Sequence, residues 1–128
     1  MKRVFLSFRA EDRKKVDGVR LLAWSNSHDL EFYDESVRTE IKSRDESYIK
    51  RVIREKISRS SIVVCFVSEL THTSQWVNWE IEVARSLGRT VILMGLPGGP
   101  QRLVLPKSAG GLQWYFWDMG FLARLINA

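Results

Sequence analysis

An acid in an apolar setting is the first chemical signal in this chain. Stepping about 100° per residue along a predicted helix from about Ser74 to Leu87 places Trp76, Val77, Val83, Ala84 and Leu87 on one side. Glu80 falls inside that apolar sector, while Glu82 points the other way and Arg85 sits at its edge. A carboxylate on a buried face is costly unless it is paired, hydrogen-bonded or neutral. Two readings are open. Glu80 can pair with an arginine such as Arg9 or bond a loop amide. It can equally be a pocket carboxylate whose pKa is raised by desolvation, as at many active sites.

Other chemistries find less support in the sequence. Cys65, the single cysteine, lies in the apolar run Ile62 to Val67 and is expected to be a buried, inert thiol. His28 and His72 stand apart, without the Cys/His/Asp spacing of a zinc site, so no metal is expected. No glycine-rich phosphate loop follows the first strand, where the residues are Phe8-Arg9-Ala10-Glu11-Asp12. A receiver-type phosphoacceptor aspartate at the end of the third strand is also missing, since that end reads Val67-Ser68-Glu69. The net charge of +5 raises a nucleic-acid reading. Arg51, Arg54, Lys56 and Arg59 are interleaved with Asp45, Glu46 and Glu55, however, as on a solvated helix face. No nucleic acid is therefore expected as partner, and the charge suits an anionic small molecule equally well.

The elements that must position Glu80 follow from periodicity. Arg3 to Phe8 predicts a first strand, and Glu11 to about Asn26 a helix with Val16, Val19, Leu22 and Ala23 inward. Leu30 to Tyr33 predicts a second strand, closed by Asp34. A loop follows from Ser36, and Ser43 with Glu46 has capping-box spacing for the next helix. Ile62 to Val67 reads as a central strand covered on both faces. After the helix carrying Glu80, Gly88 marks its end and Thr90 to Leu96 forms another buried strand. Leu112 to Trp117 predicts a fifth strand, with Trp114 and Trp117 expected to pack, and Phe121 to Ile126 a final helix.

Alternating strands and helices imply a three-layer α/β fold with a mostly parallel sheet. In flavodoxin-like order, 2-1-3-4-5, ligands bind beyond the carboxyl ends of strands one and three. That places Ser7, Phe8, Arg9, Asp12, Ser68 and Glu69 beside the start of the third helix. The 128 residues fit one domain, 1–128. No signal peptide and no run of ~20 apolar residues is visible, so a soluble, cytoplasmic protein without membrane contact is expected.

Several stretches resemble the TIR family. Val4-Phe5-Leu6-Ser7-Phe8-Arg9, followed by Glu11-Asp12, is similar to the opening strand and loop of TIR domains. Ser74-x-Trp76-Val77-x-x-Glu80 resembles the family's S-x-W-C-x-x-E segment, with Val77 in place of the usual cysteine. Phe32-Tyr33-Asp34 and Ser60-Ser61-Ile62-Val63-Val64 are similar to the second strand and to the junction before the third. Thr71 to Ile81 and the compact chain resemble the TIR-like ThsB branch of Thoeris-type bacterial antiphage defence.

The resemblance implies cleavage of the nicotinamide–ribose bond of NAD, with Glu80 as the catalytic residue and NAD as substrate rather than cofactor. It further implies that Phe8 stacks on a base, Arg9 contacts phosphate and Trp76 walls the nicotinamide pocket. Asp34 and Ser36 would border a loop over that pocket. Ser7, Asp12 and Ser68 complete the candidate substrate-binding set, although Asp12 is also placed to cap the first helix. A homo-oligomer is implied, as is a separate effector that senses a cyclic ADP-ribose-type product. The alternative is a non-catalytic TIR module that works by homotypic assembly.

Overall fold

The computed structural model describes residues 2–24, 32–35 and 44–128. Five strands form one sheet: β1 (Lys2–Ser7), β2 (Phe32–Asp34), β3 (Ile62–Val67), β4 (Thr90–Gly95) and β5 (Trp114–Tyr115). Their order is β2-β1-β3-β4-β5, and every neighbouring pair is parallel. The flavodoxin-like expectation holds, strand for strand. β3 is buried at all six positions, as expected for a central strand with helices on both sides.

Alternation along the strands sorts the core into two faces. Val4, Leu6, Ile62, Val64, Phe66, Ile92 and Met94 pack with Val16 and Val19 of α1 (Arg13–Trp24) and with Leu122, Ala123 and Ile126 of α4 (Met119–Asn127). The opposite face offers Phe5, Val63, Cys65, Val67 and Leu93. It meets Ile57 of α2 (Glu46–Arg59) and Val77, Ile81, Val83 and Ala84 of α3 (Gln75–Ser86). Among the described residues no helix is long and apolar enough to cross a membrane.

Several boundaries differ from the sequence reading, each for a local reason. The chain opens α1 with a 3-10 turn at Ala10–Asp12. Leu22, expected inward, is 43% exposed, and Arg20 is buried in the helix instead. Helix α2 is capped by Asp45, whose carboxylate accepts from the Ser47 and Tyr48 amides at 3.0 and 3.4 Å. Ser43, the expected cap, lies outside the described residues, as do Leu30 and Ser36. Strand β5 starts only at Trp114, because Leu112 is held in a turn, its amide N–H donating to the Ala109 carbonyl at 3.1 Å. Asp118 caps α4 by accepting from Phe121, which starts that helix two residues before the expected Phe121. Replacing Asp45 with alanine removes two anchors of orphan helix amides and is expected to cost about 1 kcal/mol, read as a lower urea midpoint.

Candidate active site

The helix that carries Glu80 is fixed at both ends. Ser74 accepts from the Val77 amide at 3.2 Å and caps the start. Gly88, at φ 69°, closes the end in the left-handed conformation that glycine adopts without strain. Between these ends Glu80 turns toward the sheet and is only 9% exposed. Its partner comes from the carboxyl end of β1, where Ser7 Oγ donates to Glu80 Oε1 at 2.8 Å. Ser7 shares its face with Phe5, and it pairs in register with Cys65 on β3.

Burial pushes the Glu80 carboxyl up to about 7, while the Ser7 hydrogen bond pulls in the opposite direction. The same desolvation, with the neighbouring Glu80 charge second, drives the Cys65 thiol far up. Cys65 is therefore a protonated, apolar wall, in keeping with the inert thiol expected from its setting. Among the described residues no His/Cys/Asp/Glu group is arranged to hold a metal ion.

The expected pairing of Glu80 with Arg9 does not occur. Arg9 Nη1 donates to Glu11 at 2.8 Å, and its Nε lies 3.8 Å from Asp12 Oδ2. The Nε itself is buried without a hydrogen-bond partner. Asp12 does not cap a helix either. It accepts from Ser68 Oγ at 2.5 Å, and Ser68 in turn meets Thr71 at 3.1 Å. Arg9, Asp12 and Ser68 line a cavity of about 360 Å³ with Lys15, Glu69 and the turn around Gly98. This cavity belongs to the α1 side of the sheet's carboxyl edge, whereas Glu80 belongs to the α3 side.

The remaining candidates have structural partners. Phe8 packs against the α1–α4 core, with the Arg20 guanidinium 5.5 Å from its ring centre. Arg20 Nε also donates to Asp34 Oδ2 at 2.9 Å, and both groups are buried. Sequence reasoning missed Arg20, although its position one turn after Val16 marks the inward face. Trp76, read as part of the apolar side, is 40% exposed. Its ring meets Trp79 edge to face at 5.8 Å, and Lys50 Nζ lies 5.9 Å and 5.3 Å from the two rings. The start of α3 thus exposes an aromatic surface under a cation.

A five-stranded flavodoxin-like sheet, with the buried Glu80 carboxylate bonded to the carboxyl end of β1, defines the class of molecule. The chain belongs to the family described as Thoeris protein ThsB, TIR-like domain, whose sequence profile matches residues 5–101. No curated protein matches the sequence. Among solved structures, the TIR domain of the Toll-related receptor TRR-2 from Hydra magnipapillata superposes with a TM-score of 0.65 at 11% identity, covering 98% of this chain and 92% of that one. The CMP N-glycosidase BcmB of Clostridium botulinum gives 0.62 at 15% identity, with 99% and 100% covered. A 2-desoxiribosyltransferase from Leishmania mexicana gives 0.52 at 11%, with 74% and 65% covered. At these identities the likeness is one of fold.

Proposed function

We propose that this domain cleaves the N-glycosidic bond between nicotinamide and ribose in NAD, with Glu80 as the catalytic carboxylate. The observation that carries the reading is the desolvated Glu80 held by Ser7 within the family's Ser74-to-Glu80 segment. The nicotinamide nitrogen takes the electron pair of the breaking C1′–N bond and leaves as a neutral base, so no strong general acid is required. Positive charge develops on the ribose, and an ionised Glu80 bonded to ribose hydroxyls stabilises it in a site of low dielectric. Water adding at C1′, with loss of a proton, gives ADP-ribose. Attack by an adenine nitrogen gives a cyclic product, the form suited to signalling through a separate effector in antiphage defence.

The test is nicotinamide release from NAD by concentrated protein as a function of pH, with Glu80→Gln as the control. The active form is the carboxylate, so kcat/KM is expected to rise about tenfold per pH unit below 7 and level off above about 8. The kcat profile is expected to bend at lower pH, because the positive pyridinium of bound NAD favours ionised Glu80. Equal release by both proteins would remove Glu80 from the chemistry. No release by either would favour the homotypic assembly module. Self-association fits both readings and does not separate them.

A further inference from the structure

We infer that Ser7 is a positioning residue for Glu80, fixing the carboxylate through Oε1 so that Oε2 is left for a ribose hydroxyl. This inference rests on the reading of Glu80 as the catalytic group and adds a role for a residue first placed among the substrate contacts. The geometry leaves Ser7 little freedom for another task. It is 1% exposed, its side chain lies on the α2–α3 face, and its hydroxyl already donates to Glu80 Oε1 at 2.8 Å. Among the described residues Glu80 Oε2 receives no hydrogen bond, and no cation stands within ion-pair distance of the carboxylate.

Among the described residues the surroundings supply no substitute for that hydroxyl. From β3 the titratable neighbour is Cys65, which stays protonated and offers a weak donor at best. From α2, Lys50 is engaged over the Trp76 and Trp79 rings, and Lys56 is buried nearer that helix's end. On α3 itself Glu82 faces solvent. A carboxylate buried beside a protonated thiol loses its ordinary solvation, and one strong donor then sets both its orientation and its ease of ionisation.

The deciding experiment follows the Glu80 carboxyl carbon by NMR through a pH titration, without substrate, in wild type, Ser7→Ala and Ser7→Thr. The wild-type midpoint is expected at about 7. Removing the hydroxyl is expected to raise it by roughly one unit or more, and threonine, which keeps the donor, to return it toward wild type. In NAD turnover the kcat/KM profile of Ser7→Ala is expected to move by the same amount. Its kcat/KM then falls about fivefold at pH 7 and recovers near pH 9, where KM for NAD matches that of wild type. An unchanged midpoint in Ser7→Ala would overturn the inference. So would a raised KM at an unmoved midpoint, which would return Ser7 to substrate binding. A midpoint that moves while no variant cleaves NAD would keep the Ser7–Glu80 coupling and refute the NAD reading instead.

Discussion

Glu80→Gln is expected to cut nicotinamide release by roughly 10²–10³-fold and, in the same molecule, to make the fold more resistant to heat at pH 8. The two effects have one cause. Glu80 titrates at about 7 in the folded domain, against an ordinary value of 4.5, because burial disfavours the charge. The folded state therefore holds this proton more tightly than the unfolded chain. Its contribution to stability is fully present below about pH 4.5, falls as pH rises between the two values, and is lost above about 7. The span corresponds to about 3 kcal/mol. Glutamine never ionises, keeps nearly the same shape, and its carbonyl accepts from Ser7 as the carboxylate does. For a domain of this size the gain at pH 8 is several degrees to about ten degrees in Tm, shrinking toward zero at pH 4. Melting curves at the two pH values check it. A variant that loses activity without the alkaline gain would show that Glu80 is not desolvated in the folded domain.

The features legible in the sequence were those set by local rules. Ile62 to Val67 is legible to the residue because six apolar side chains in a row admit a strand covered on both faces. Helix α3 is legible to within a residue at each end because Ser74 is a strong start signal and Gly88 a strong stop signal. The inward direction of Glu80 followed from helical stepping alone. Periodicity gives a direction around an axis but not what stands opposite, so it puts Trp76 on the apolar side although the ring is 40% exposed. The bond between Ser7 and Glu80 joins residues 73 apart and depends on strand order as well as on strand alternation. Both were individually readable; their combination identifies which β1 side chain faces α3. The choice between Ser43 and Asp45 as helix cap could not be read, since both are good acceptors one turn from the same apolar stripe. Arg20 escaped because an inward helix face is ordinarily sought among apolar residues, and a buried cation becomes visible only with its acid.

Arg20→Ala is expected to be among the most destabilising single changes in this fold, by roughly 3 kcal/mol. Arg20 joins α1 to β2 through Asp34 at 2.9 Å, reaches Asp17 at 2.7 Å, and lies over the Phe8 ring at the end of β1. Truncation removes the guanidinium from a buried carboxylate, and that carboxylate's desolvation is then no longer offset by this partner. In urea the midpoint is expected to fall by roughly 1–2 M. Arg59→Ala is the control, because its pair with Glu55 is half exposed, one helical turn apart, and worth a few tenths of a kcal/mol at most. The double variant Arg20→Met, Asp34→Leu removes both charges while conserving volume and is expected to lose markedly less than Arg20→Ala. That ordering would make Asp34 a structural acid anchored through α1, with its effect on stability present in the absence of any NAD. If Arg20→Ala behaves like the Arg59 control, the buried pair is not what holds β2 to α1, and Asp34 returns to the candidate ligand contacts.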